Sequence, residues 1–226
     1  MKPHLKLDEA RTPDGARLTL HAHDGRFSIR INGQELMHSA VTTSEAQLGE
    51  MAVARLAPGA HPRVLIGGLG MGFTLAAVLS NVGPGAKVDV AELVPQVVEW
   101  NRTHMEKLNG WRLADARVSI LREDVGAVLS RTPARTYDAV ILDVDNGPTA
   151  MVHGDNARLY GVDGIQTMVK ILTPGGRMAV WSAGADSRFE ARLTRAGLRV
   201  SVVPAKLHAT ARRATYVLYF ADKQPW

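Results

Sequence analysis

The sequence predicts an α/β fold: a seven-stranded, mostly parallel sheet wound between helices and preceded by a small N-terminal β-meander. Three observations carry this expectation. In the first, Arg63 to Glu92 (RVLIGGLGMGFTLAAVLSNVGPGAKVDVAE), apolar residues Val64 to Ile66 run into glycines at 67, 68, 70 and 72. An apolar stretch of helical length, Phe73 to Leu79, leaves the glycines, and a second short run, Val88 to Ala91, ends on Glu92. This reads as strand, tight turn, helix and strand, the first half of a Rossmann-like unit. The second observation is that short apolar runs continue to alternate with helix-like segments down to Phe220, as parallel strands joined by crossover helices require. The third is period-2 alternation from Arg17 to His38, broken by Asp24-Gly25 and Asn32-Gly33, two strong hairpin signals.

At 226 residues the chain can bury about 70% of its unfolded surface, enough for one α/β domain with an appendage. The expected division is 1–57 for the meander and a capping helix, and 58–226 for the Rossmann-like, nucleoside-binding part. A composition of 46% hydrophobic and 22% charged residues is ordinary for a soluble protein. The absence of cysteine excludes disulfides and thiolate metal sites. The opening MKPHLKLDEA has no apolar segment of signal length, and no window approaches a membrane span, so a cytoplasmic location is expected. The net charge of +5 raises the question of nucleic acid. Its excess lies late, at Arg188, Arg192, Arg195, Arg199, Lys206, Arg212, Arg213 and Lys223, without interleaved aromatics or a zinc framework, which reads as a solvated face.

In chain order, the meander spans about Arg17 to His38. Ser44-x-x-Gln47 reads as a capping box opening the helix SEAQLGEMAVARL, with Leu48, Met51, Ala52 and Leu56 inward and Pro58-Gly59 ending it. After Glu92 a helix is expected from Val94 to Leu108, with Pro95 in its first turn. A strand from Arg117 to Leu121, a helix from Val125 to Ser130 and a continuous apolar strand from Ala139 to Leu142 follow; the last is of the kind buried on both faces. Asn146 to Asn156 is polar and reads as a lid. A helix from Gly164 to Leu172 is stopped by Thr173-Pro174-Gly175-Gly176. Strand Arg177 to Trp181, helix Ser187 to Ala196, strand Leu198 to Val203 and an antiparallel last strand, Thr215 to Phe220, complete the pattern.

The glycine spacing selects the ligand. Phe73 and Leu75 stand where a GxGxxG dinucleotide fingerprint needs its third glycine, and no GK[ST] follows, so a phosphate loop is excluded. Gly68-x-Gly70-x-Gly72 is the GxGxG turn of proteins that bind S-adenosylmethionine and its relatives. Open α/β sheets bind ligands at the carboxyl ends of their strands. The turn, Glu92 for the ribose hydroxyls, and Asp124, Asp143 and Asp145 would therefore converge on one crevice. Attack on a sulfonium carbon needs an aligned, unprotonated nucleophile. A carboxylate at a strand end can take an amine proton, which makes Asp143 the first catalytic candidate and Asp145 the second. Competing structural roles are a solvated acid at Glu92, a helix N-cap at Asp124 and loop capping at Asp143 and Asp145. His153 in the lid is a weaker base candidate, and His21, His23, His61 and His104 show no ligand spacing, so no metal is expected. Trp100, Met105 and Trp181 read as core or pocket wall.

Taken together, the meander, the capped helix, VLIGGLGMGFTL, VDVAELVPQVVEWNR, LREDVGAVL, YDAVILDVDNGP and LTPGGRMAVWSA resemble the spermidine and spermine synthase family of polyamine aminopropyltransferases, in a short spermidine synthase-like form. The resemblance implies a class I adenosyl-binding fold and a transferase that moves an aminopropyl-type group from decarboxylated S-adenosylmethionine to a small amine; a homodimer is the assembly to look for. It implies cofactor-binding roles for Gly68, Gly70, Met71, Gly72, Glu92 and Asp124, with Asp124 on the adenine amine and Asp143 opening the catalytic acidic segment. Ile66 fits too, because ordinary methyltransferases carry an acid there. Two positions depart from the family. Met71 replaces the aspartate that grips the donor's ammonium in GGGDGG, and DVDNGP replaces DxxDP, displacing Asp145 by one residue. Glu45 lies near the place of a polyamine-binding glutamate. Methyl transfer from S-adenosylmethionine to a small acceptor, and non-catalytic adenosyl binding, remain the alternatives.

Overall fold

The computed structural model describes residues 4–57, 60–144, 148, 157–206 and 214–225. Four antiparallel strands come first: β1 (Leu5–Arg11), β2 (Arg17–His23), β3 (Arg26–Ile31) and β4 (Gln34–His38), in sheet order β1-β2-β3-β4. The turns at Asp24-Gly25 and Asn32-Gly33 carry positive φ at every residue, which is why Asn, Asp and Gly stand there. Strand β1 was not expected. Its residues are mostly exposed, and only Ala10 is buried, so it lacks the apolar alternation that announces a strand.

Helix α1 (Thr43–Val53) corrects the capping-box expectation. Its N-cap is Thr42, no side chain caps it, and Ser44 is buried inside the first turn with its hydroxyl on Glu45. The wound part follows as β5 (Arg63–Gly67), α2 (Phe73–Asn81), β6 (Lys87–Ala91), α3 (Pro95–Arg102), β7 (Val118–Leu121), α4 (Val125–Arg131) and β8 (Tyr137–Leu142). It continues as α5 (Ala157–Tyr160), α6 (Val162–Ile171), β9 (Leu172–Ser182), α7 (Ser187–Arg195), β10 (Arg199–Lys206) and β11 (Ala214–Asp222). The seven strands lie in the order β10-β11-β9-β8-β5-β6-β7, parallel except that β11 runs against both of its neighbours. The expected fold class and antiparallel last strand are both found.

Two boundaries differ by more than three residues. Helix α3 ends at Arg102 rather than Leu108. The chain turns through residues 103–109 into a short 3-10 helix (Gly110–Ala114), because Asn101 and Gly110 meet so closely that a Cβ on Gly110 would sit 1.7 Å from the Asn101 carbonyl oxygen. The Thr173-Pro174-Gly175-Gly176 stretch is not a stop outside the sheet but the irregular start of β9. Leu172 pairs with Tyr137, the register slips, and Arg177 pairs with Ala139, with Gly175 at φ +78 absorbing the bulge. Asp145, His153 and the Pro58-Gly59 stop lie outside the described residues, as does the expected lid apart from Pro148.

The inner face of the meander (Leu18, Leu20, Ile29) joins one apolar cluster with α1 (Leu48, Ala52) and the central strands (Val64, Ile66, Val88). The other sheet face packs Leu65, Val140 and Leu142 against α4, α6 and α7. Strand β8 is buried on both faces, as its unbroken apolar run requires. The late arginines are not all free in solvent: Arg192 donates to the Tyr160 carbonyl, and Arg199 lies 3.6 Å from Asp222, which also pairs with Arg177 and Arg55. No helix among the described residues is long and apolar enough to cross a membrane.

Candidate active site

The carboxyl ends of β5, β6 and β8 open on a cavity of about 780 Å³, a volume suited to a drug-sized ligand. Gly68, Gly70, Glu92, Asp124 and Asp143 all line it. The meander closes it from above with Ile31, Leu36 and Met37 and with Asp14 of the β1–β2 turn, and α5 and α6 add Arg158, Asp163 and Thr167.

The glycine turn is shaped by close approach. At Gly68, φ is +90 and a Cβ would sit 2.2 Å from the Asp143 carbonyl oxygen, so no other residue fits without moving β8. Gly70, at φ +52, lies under the Met37 thioether, and Gly72, at φ +77, is the N-cap of α2. Two buried asparagines that the sequence reading did not single out hold the turn. Asn101 donates to the Gly70 carbonyl at 2.8 Å and Asn109 donates to the Met71 carbonyl at 3.0 Å. Their only sequence signal is an amide at otherwise apolar α3 and turn positions. The Met71 side chain points away from the cavity and is 2% exposed within the central apolar cluster. Neither Met71 nor Gly72 lines the cavity.

Glu92 is buried rather than solvated. Its Oε2 accepts from Leu69 N–H at 2.9 Å and its Oε1 from Val94 N–H at 2.8 Å, so this carboxylate ties the end of β6 to the glycine turn as well as facing the cavity. Each carboxylate oxygen can accept more than one hydrogen bond. Asp124 is the N-cap of α4, its Oδ1 accepting from Ala127 N–H at 3.0 Å, and it lines the cavity as well. Cap and cavity wall are the same side chain.

Asp143 follows the last residue of β8, and its N–H donates to Gly67 O at 2.9 Å. Burial, with the neighbouring Glu45 adding to it, pushes its carboxyl up to about 7 against an opposing hydrogen bond from Thr74. That bond, Thr74 Oγ1 to Asp143 Oδ2, is 2.6 Å long. Burial raises Glu45 as well, with the 2.6 Å bond from Ser44 acting the other way. Burial and Glu45 together raise the Tyr216 phenol, and its ring packs against Trp181 at 4.6 Å between centroids. Trp100 and Met105 are core residues, Trp100 donating to Asp8 at 2.7 Å. Glu45 and Thr74 thus meet Asp143 from α1 and α2, with Tyr216 of β11 beside Glu45, a meeting no local pattern announces.

Strand order and site define the class: a Rossmann-like α/β fold whose glycine turn, strand-end acids and covering meander form one cavity. The chain superposes on spermidine synthase from Thermotoga maritima with a TM-score of 0.72 at 16% identity, covering 98% of this chain and 74% of that one. A spermidine synthase in complex with the transition state analogue AdoDATO gives 0.71 at 16% identity over 98% and 73% of the two chains. A probable spermidine synthase from Corynebacterium glutamicum gives 0.69 at 16% identity over 98% and 81%. The protein has the spermidine synthase fold. In sequence it is 34% identical over 206 residues to polyamine aminopropyltransferase 2 of Streptomyces coelicolor, an alignment covering 89% of this chain. The chain spans about a third (34%) of that relative's length. No family model matches the chain.

Proposed function

We propose that the protein is an aminopropyltransferase-type enzyme that moves an aminopropyl group from decarboxylated S-adenosylmethionine to a small amine. The observation that carries this reading is the charge of the cavity. Asp14, Glu92, Asp124, Asp143 and Asp163 line it, and Arg158 is the one cation among the described lining residues. Such a wall suits a sulfonium donor without a carboxylate and an ammonium acceptor, since oppositely charged neighbours offset desolvation of each. It also supplies negative charge that the buried Met71 does not. Sequence and fold likeness to aminopropyltransferases favour this reading over methyl transfer and over adenosyl binding without turnover.

In this reading Glu92 receives the ribose hydroxyls, Asp124 faces the adenine, and the glycine turn lies along the donor's tail. Asp143 accepts a proton from the acceptor ammonium. The freed amine lone pair attacks the propyl carbon bound to sulfur, the C–N bond forms, and the C–S bond breaks. Its electron pair stays on sulfur, releasing neutral methylthioadenosine. An alkyl ammonium titrates near 10.4. Against an ordinary aspartate at 3.8 the proton transfer is uphill by about 9 kcal/mol, whereas against a carboxyl at about 7 it is uphill by about 4.6 kcal/mol. Burial of Asp143 therefore favours the chemistry, and at neutral pH about half of it still carries the charge the reaction needs.

The test is product identity. Incubated with both donors and a panel of amines, the protein should release methylthioadenosine from the decarboxylated donor, and Asp143→Asn should lower that rate at least ~100-fold. Adenosylhomocysteine from the methyl donor would overturn the reading in favour of methyl transfer, and nucleoside binding with neither product would reduce it to adenosyl binding.

A further inference from the structure

We propose that Thr74 is a positioning residue for the transfer: its hydroxyl holds Oδ2 of Asp143 in both protonation states and keeps Oδ1 turned to the incoming amine. The inference rests on the aminopropyl-transfer reading and names a group that sets how that site works.

Thr74 stands in the first turn of α2 and is 3% exposed. Its Oγ1 lies 2.6 Å from Asp143 Oδ2 and 3.3 Å from the backbone oxygen of Glu45 on α1. A hydroxyl carries one proton and accepts with its lone pairs, so it cannot donate to both oxygens at once. With Asp143 ionised, the short, charge-assisted bond to Oδ2 takes the proton. With Asp143 protonated on Oδ2, the acid donates to Oγ1 and the threonine proton turns to the Glu45 carbonyl. In either state the bond between Thr74 Oγ1 and Asp143 Oδ2 persists, so changing the charge of Asp143 reverses or keeps that bond but does not break it. During turnover the N–H bond of the ammonium breaks and an O–H bond forms on Oδ1, while Thr74 goes on donating to Oδ2. The proton then leaves to solvent.

The groups that meet Asp143 are Glu45 from α1 and Thr74 from α2, and Tyr216 of β11 stands beside Glu45. Across the cavity stand Asp14, Glu92, Asp124, Arg158 and Asp163. Thr74 and Glu45 act in opposite senses: the hydroxyl favours the carboxylate and the second acid disfavours it. This opposition makes the role separable from packing. Valine preserves the shape and β-branching of threonine without the hydroxyl.

The experiment compares the parent with Thr74→Val, Thr74→Ser and Glu45→Gln. It reads methylthioadenosine release against pH at saturating donor, affinity for methylthioadenosine, and the carboxyl NMR titration of carbon-labelled aspartate. Thr74→Val should move the low-pH limb and the Asp143 titration upward by about one unit, the size of one hydrogen bond to a carboxylate. Its rate at pH 7 should fall about fivefold, as the ionised fraction does, with nucleoside affinity unchanged. Thr74→Ser should restore the parent profile, and Glu45→Gln should move the limb the other way. Thr74→Ala carries the same test if the valine variant does not fold. An unmoved limb in a folded hydroxyl-free variant, or failure of serine to restore the profile, overturns the inference while leaving aminopropyl transfer standing. If the parent releases no methylthioadenosine, the functional reading fails, and the NMR titration alone still decides whether Thr74 holds Asp143.

Discussion

Glu92 and Asp143 are both acids at the carboxyl ends of parallel strands, both line the same cavity, and the protein treats them oppositely. Glu92 follows β6 and meets two backbone N–H groups, from Leu69 and Val94, which anchor it as an acceptor. Asp143 follows β8 and meets one hydroxyl, from Thr74, and a second buried acid, Glu45, which with burial brings its titration to about 7. Strand-end position alone therefore does not define an acid's chemistry. Backbone donors make a fixed binding group, whereas a side-chain hydroxyl beside a like charge makes a group that changes state near neutral pH.

The sharpest way to break this contrast is Glu92→Ala. Two N–H donors lose their acceptor and the ribose loses its proposed partner, at about 1.5 to 3 kcal/mol per charged hydrogen bond. Affinity for methylthioadenosine should fall at least ~100-fold by calorimetry, and the melting temperature should fall by several degrees. Equal affinity in variant and parent would show that Glu92 only ties the turn.

Asp143→Asn probes the other side through stability. The folded-state titration of Asp143 is raised from 3.8 to about 7, so its contribution is fully present below about 3.8 and lost as pH rises through about 7. An asparagine does not titrate, so the variant should gain on the parent as pH goes from 5 to 8. The gain should reach at least about 1 kcal/mol, or 2–4 °C for a chain of this length. A difference independent of pH across that window would mean that Asp143 titrates as an ordinary aspartate and that the contrast with Glu92 is false.

Asp124→Ala gives the smallest effect and sharpens an intermediate case. Losing the bond to Ala127 N–H should cost about 1 kcal/mol of stability, a typical N-cap value. If the same carboxylate also meets the adenine amine, nucleoside affinity should drop about tenfold as well. Lower stability with unchanged affinity would leave it a cap alone.

The sequence by itself determined the glycine turn, the order of most strands and helices from Arg17 onward, and the acids at the strand ends. Each of these is written in local signals: positive-φ glycines, period-2 and period-3.6 apolar runs, and an acid just after a strand. The capping box misled because Ser44 and Gln47 match a local pattern while the Ser44 hydroxyl is taken up by Glu45. The exposed strand β1 was invisible because it is held by pairing with β2 rather than by a buried face. Met71 has the spacing of a ligand contact, and the direction of its side chain is decided by the core beneath the turn. Only the tertiary structure could bring Glu45, Thr74 and Asp143 together, because they come from segments far apart in the chain. The charge state of Asp143 depends on the low-dielectric space those elements enclose, a property of the packed fold that no local stretch of sequence contains.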